Sequence, residues 1–318
     1  MNASESRAAE TSAATSTATA VSAAAGSAGH TDESRVMKLA PLDARAGKRA
    51  YRRRKALTWA TQLAIAVFIV GGWQLFTTVG WVDKFFFGQP SGIAKQLYNY
   101  FAQGEQATEF GSYPYQIEVT LKEAVFGFFL GASGGIVVGI ALGQSDFMAR
   151  AVGPFIKIVN AIPRIVLGSI FAVAFGLDST PKILLSGVLV FFGVFFNAFQ
   201  GVREVNPDIL ANAKVLGASR WQVTRHVTLP SALTWILASL HAAFGLAIIG
   251  AVVGEVLGAQ YGLGLVIKTA QNNSDANAVF AGMATIAIIV LAAEWLLTKV
   301  ERRLLSWQPI SRTEASSI

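Results

Sequence analysis

The chain has 318 residues, 53% of them hydrophobic and 14% charged, with 26 Lys and Arg against 19 Asp and Glu. With a mean hydropathy of +0.48, it is too apolar for a soluble domain of this length. It contains no cysteine, which removes disulfides, thiol nucleophiles and zinc–thiolate sites, and His30, His226 and His241 are too scattered for a metal cage.

The first 44 residues are rich in Ala, Ser and Thr and hold no apolar run, so they are expected to be disordered and to be neither a signal peptide nor a span. With the basic KRAYRRRK stretch they form an N-terminal tail over 1–55. Six apolar runs follow, each near the roughly 20 residues that cross a bilayer. They are Leu57–Val79, Ala124–Leu142, Ala151–Phe175, Ile183–Phe199, Thr234–Leu257 and Ala278–Leu297. The first, with its basic flank, reads as an uncleaved signal anchor. The third contains Pro154 and Pro163. The fold class is therefore all-α, a polytopic membrane protein with six transmembrane helices over 56–308 and a short C-terminal tail over 309–318.

Basic residues precede the first span, Arg150 lies between the second and third, Arg203, Lys214, Arg220 and Arg225 lie in the 200–231 loop, and Lys299, Arg302 and Arg303 follow the last span. The positive-inside rule puts all four groups, and both termini, in the cytoplasm. The net charge of +7 is thus a topology signal. No basic stripe interleaved with aromatics points to nucleic acid.

Between the first two spans, SGIAKQLYNYF places Ile93, Leu97 and Phe101 on one helical face, suited to lipid or to the bundle. Glycines recur every fourth residue at 127, 131, 135, 139 and 143, and again at 250, 254, 258 and 262. Such ladders let another backbone approach closely, for tight packing or for sliding between two arrangements. Arg164 falls near the middle of the third run and Lys157 seven residues earlier, two turns away on nearly the same face of a straight helix. Either they make a positive stripe along an anion path, or Lys157 snorkels to the interface while Arg164 pairs internally. Glu255, near the end of the fifth run, is a candidate partner or gate residue.

The polar stretch NPDILANAKVLGASRWQVTRHVTLP, residues 206–230, reads as two short helices broken at a glycine. Asn206 caps a helix started by Pro207, and Gly217 suits a left-handed C-terminus. Ser219 with Gln222 makes a capping box for a second helix expected to end at Leu229 and Pro230.

This stretch resembles the cytoplasmic coupling loop of importer-type ABC transporter permeases. Their pattern is Glu-Ala-Ala, three residues, Gly, nine residues, Ile, one residue, Leu-Pro. Here Ala211, Asn212 and Ala213, then Gly217, then Val227, Leu229 and Pro230 keep every spacing, with Ala211 standing for the glutamate and Asn212 for the first alanine. IVNAIPRIVLGSIFAVAFG, DSTPKILL and VVGEVLGAQYGLG extend the resemblance to the branch that imports nitrate, aliphatic sulfonates and taurine. It implies a type I ABC importer permease fold in the bacterial inner membrane, and a second permease copy forming a homodimer. It also implies a periplasmic substrate-binding protein, for which the 80–116 segment offers a receiving surface as an alternative to a mere cover. An ABC ATPase subunit would sit on the coupling loop, touching Ala211, Asn212, Ala213, Gly217, Ala218, Ser219, Arg220, Val227, Leu229 and Pro230. The chain has no Gly-x-x-x-x-Gly-Lys-Ser/Thr loop, since Gly47-Lys48 is followed by Arg49. No cofactor is therefore expected on this chain, ATP being used by the partner. A nucleophile with its base is also missing, so an enzyme is not expected. The rival is a gradient-driven secondary transporter or channel, which leaves the capped hairpin without a task.

Overall fold

A computed structural model describes residues 51, 53–104 and 107–304. The predicted tails lie outside that range, apart from residues 51 and 53–55. Among the described residues the chain is helical, with no strand beyond one isolated bridge, Thr108 with Gly111. It divides into two compact units, 1–72 and 73–318. In the first, the described residues belong to α1, Arg53–Val79, whose Trp59, Leu63 and Phe68 are exposed, as a lipid-facing helix requires.

The second unit holds α2 (Lys84–Phe87), α3 (Pro90–Ala102), α4 (Tyr113–Gly143), α5 (Asp146–Ala161), α6 (Val166–Phe175) and α7 (Ser179–Arg203). The short α8 (Pro207–Val215) and α9 (Arg220–Val223) lead through a π-helical turn, Thr224–Thr228, into α10 (Leu229–Leu257), followed by α11 (Leu263–Asn272) and α12 (Ala276–Leu304).

The glycine ladder of α4 is a close-packing face. A β-carbon on Gly135 would lie 2.8 Å from the Phe191 carbonyl oxygen, one on Gly139 2.8 Å from that of Phe195, and one on Gly143 2.9 Å from Val202. The partner numbers rise with the α4 numbers, so α4 and α7 run parallel. Gly250 meets Ser186, Gly254 meets Lys182, and Gly201 meets Trp235 and Ala232, so α10 runs antiparallel to α7. Small residues thus replace the hydrophobic drive that lipid cannot supply between helices. Ala124, Phe128, Val190, Val194, Ala247 and Ile248 fill the space that remains. The second ladder holds only in part. Gly258 ends α10 and Gly262 sits in the following loop at φ +118°, so neither belongs to the helical face.

The third predicted span is not one straight helix. It breaks at residues 162–165 into α5 and α6, bent by 87°, leaving five continuous spans, or six if the bent pair counts as one. Pro163 supplies the cause, because it has no N–H to donate and biases Ile162, at ψ 128°, out of the helical region. Parallel packing of α4 on α7 decides the count: the chain must return from the end of α4 to the start of α7. Within that stretch Gly168 of α6 lies against Leu185 and Leu257, near the far ends of α7 and α10. The bent pair is therefore the missing crossing.

The helix foreseen in SGIAKQLYNYF is α3, and it packs on the bundle. Ile93 and Tyr100 are buried with Tyr113, Leu263, Val266 and Ala281. Tyr100 stacks on Tyr113 at 4.3 Å between ring centroids, and burial raises its phenol above the ordinary value. Phe101, the third residue of the predicted face, stays exposed.

Candidate functional site

The 206–230 hairpin projects from the end of the bundle where α4 and α7 finish and α10 begins. Asn206 accepts the Asp208 N–H at 2.8 Å and Pro207 occupies the first turn of α8, where a missing N–H costs nothing. At the other end of α8 the Gly217 N–H donates to the Lys214 carbonyl and the Ala218 N–H to that of Ala213, both at 3.0 Å. This paired closure is a Schellman motif, with Gly217 at φ +77° as its left-handed residue. A β-carbon on Gly217 would meet nothing within 4 Å. Backbone conformation, not crowding, therefore selects glycine there. Ser219 and Gln222 cap α9 reciprocally, through Gln222 N–H to Ser219 Oγ at 3.3 Å and Ser219 N–H to Gln222 Oε1 at 2.8 Å.

The second arm departs from expectation, because it does not end at Leu229 and Pro230. Arg220–Leu257 is one helix of 38 residues, with the π turn in its path. Pro230 would press on the carbonyl four residues back, at His226, and the widened turn at that level accommodates it. The hairpin therefore joins α10, the fourth of the continuous spans, directly rather than through a loop.

Ala211, Asn212 and Ala213 lie on α8, Ala218, Ser219 and Arg220 at the bend, Val227 in the π turn, and Leu229 and Pro230 at the start of α10. Ala213, Gly217, Ala218 and Val227, with Leu216, Gln222, Val223 and His226, line a cleft of about 390 Å³ between the arms. Sequence reasoning missed the apolar tip: Val215 is 85% exposed, Leu216 86% and Trp221 69%. The signal was present as VLG followed by SRW, large apolar residues flanking a bend in an otherwise polar loop. Neither α8 nor α9 buries a residue in this chain. An exposed apolar tip on a rigid, well-capped frame is suited to docking.

Lys157, Arg164 and Glu255 are not brought together. Lys157 is exposed on α5, while Arg164 lies in the break itself, so they share no helical face. Arg164 is half-buried, donates to the Asn160 side chain, and rests its guanidinium 4.8 Å from the Phe192 ring centroid. Glu255 is fully buried at the opposite end of the bundle from the hairpin. It accepts from the Thr120 hydroxyl and from the Gly264 N–H, each at 2.6 Å. The Leu263 N–H donates to Thr120 at 2.8 Å and the Gly262 N–H to Gln116 at 2.7 Å. Three successive amides at the start of α11 are thus held by polar side chains of α4 and α10. Glu123 and Lys182, both 2% exposed, adjoin this cluster. The Lys182 ammonium donates to the carbonyls of Leu177 and Asp178. Sequence reasoning passed over Gln116, Thr120 and Glu123 because their polarity cut short the second apolar run. Their burial shows that α4 continues there, supported by internal partners.

Comparisons with known proteins agree with this architecture. The family model described as "Binding-protein-dependent transport system inner membrane component" matches residues 124–306. A protein provisionally named an aliphatic sulfonates transport permease, from Bacillus subtilis (strain 168), is 31% identical over 80% of this chain and 90% of its own length. The riboflavin transport system permease protein of Chloroflexus aurantiacus is 28% identical over 74% of this chain and 85% of its own length. Among solved structures, an amino acid ABC transporter aligns with a TM-score of 0.50 at 19% identity, covering 59% of this chain and 92% of its own.

Proposed function

Since the chain belongs to the binding-protein-dependent transport system inner membrane component family, we propose that it is the permease subunit of an ATP-driven importer whose 206–230 hairpin is the seat of a separate ATPase. The solute is a small one, in our reading an anion such as an aliphatic sulfonate, delivered by a periplasmic binding protein to a pore made with a second copy of this chain. The similarity to a sulfonate permease supports that class. Both termini and the hairpin face the cytoplasm, following the basic residues. Arg164 lines the path at the break between α5 and α6, with Lys157 on the hairpin side. Non-helical backbone at membrane depth is tolerated only beside protein or water, which favours a path there over lipid. Glu255 acts as a gate residue by holding the 258–264 loop across the opposite end.

The observation that carries the proposal is the hairpin itself, doubly capped, continuous with α10, and tipped by Val215, Leu216 and Trp221. A gradient-driven carrier has no use for such a tip. Purification of the tagged protein in mild detergent tests it. A nucleotide-binding subunit should co-elute with ATPase activity, and Gly217→Val should lose it while inserting normally. Undiminished co-elution in Gly217→Val would refute the hairpin's role, and a monodisperse permease without any ATPase would favour the gradient-driven rival.

A further inference from the structure

We propose that Gln144 and Thr224 form a second output of the hairpin, passing its movement to the broken crossing α5–α6 in parallel with its direct pull on α10. This rests on the hairpin being the ATPase seat. Thr224 opens the π turn, and its hydroxyl donates to the Gln144 side chain at 2.9 Å. Gln144 ends α4, and the next residue, Ser145, caps α5 by accepting the Met148 N–H at 3.3 Å. Asp146, in the first turn of α5, pairs with Arg203 at 3.1 Å. Arg203 is the last residue of α7, just ahead of the hairpin. One side of the hairpin loop therefore holds the base of α5 directly, through Arg203, and the other, through Thr224, holds Gln144, the residue that precedes its cap.

The rest of α5 is held lightly, since it buries no residue in this chain. A helix attached mainly at its base turns with that base, and the break at 162–165 lets it do so without dragging α6. Its far end carries Asn160, the partner of the Arg164 side chain. Movement at Thr224 thus reaches the residues we place on the solute path.

The bridge is built to open cheaply. The Thr224 hydroxyl has a second acceptor within its own helix, the Arg220 carbonyl at 2.9 Å, and Gln144 is exposed to solvent. Neither group is stranded when they separate, so the step avoids the cost of an unsatisfied buried polar group. A π turn such as the one that Thr224 opens is frequent at functional sites.

The cysteine-free chain allows a direct test. A nitroxide is attached at Phe155→Cys, an exposed position on α5, in the complex purified with its ATPase. Its mobility is compared without nucleotide and after trapping with ATP and vanadate. Nucleotide should change the spectrum in the parent, and the change should be lost in both Gln144→Leu and Thr224→Val and kept in Thr224→Ser, with trapped nucleotide equal in all four. Retention of the change in Gln144→Leu and Thr224→Val would overturn the proposal, as would a parent that traps nucleotide with no spectral change. A parent that traps no nucleotide would overturn the ATPase reading itself and the bridge with it, an outcome read before any variant is made. Because both residues lie at the surface of this end, elution as a single species checks folding of each variant.

Discussion

Gly217 shows how one residue can matter without touching anything. Its φ of +77° lies where a side chain costs roughly 1–2 kcal/mol, more for a β-branched one, while the space around it is open. Gly217→Val should therefore misdirect the hairpin and abolish ATPase association, whereas Gly217→Asn, which tolerates that conformation, should retain it. Glu255 presents the opposite case, a residue fixed by its contacts. Removing its carboxylate leaves the Gly264 N–H without its partner, a loss of about 1–3 kcal/mol for a buried group left unsatisfied, while the Thr120 hydroxyl keeps the Gln116 carbonyl at 3.1 Å. Glu255→Ala should lower the melting temperature in detergent clearly, and Glu255→Gln, which keeps one acceptor, should lower it less. Equal melting of Glu255→Ala and the parent would show that the cluster holds nothing. Arg164 can be tested on its own: Arg164→Gln should impair uptake of an anionic solute more than it impairs assembly with the ATPase. Normal uptake would make its stacking on Phe192 a structural contact only.

At the scale of helices, the glycine ladder makes the sharpest claim. Gly135 faces the Phe191 carbonyl, whereas its neighbour Gly134 has only the Phe191 ring edge at 3.4 Å. Gly135→Ala should destabilise the α4–α7 pair by about 1–3 kcal/mol through overpacking, and Gly134→Ala should be nearly neutral. The comparison is made by detergent melting of two variants one residue apart. The α4 ladder was legible in the sequence because a four-residue glycine repeat lays one smooth face along a long apolar helix, whereas the second repeat ran past the end of α10 at Gly258 and Gly262. The caps at Asn206 and Ser219 were legible because they are local. Three features were not. Pro163 marks the bend in the sequence, but that the bent α5–α6 pair still makes one crossing depends on how α4 and α7 pack in parallel, which no local pattern encodes. The run of Arg220–Leu257 through Pro230 depends on a π turn that absorbs the clash, where the usual rule ends the helix. The start of α4 at Tyr113 rather than Ala124 depends on Gln116 and Thr120 finding partners at Gly262 and Leu263, more than 130 residues away, and on Glu123 being buried beside Lys182.

For the whole molecule, one end of the helical bundle is closed by polar clasps between α4, α7, α10 and α11, and the other carries a rigid hairpin with an apolar tip. The hairpin continues into α10, and its Thr224 is hydrogen-bonded to Gln144, next to the cap of α5. A bent, lightly held crossing lies between the two ends, with Arg164 at its break. That division of parts suits a permease that is opened from one end, with the energy supplied by another polypeptide. The most direct test places a single cysteine at Leu216, in this otherwise cysteine-free chain, and applies a short thiol-to-amine cross-linker to membranes, with a cysteine at Val173 on α6 as control. Leu216→Cys should give one adduct whose second component is identified by mass spectrometry as a nucleotide-binding subunit, and Val173→Cys should not. Failure of Leu216→Cys to capture an ATPase, or the same adduct from both positions, would contradict the assignment of the hairpin as the ATPase seat.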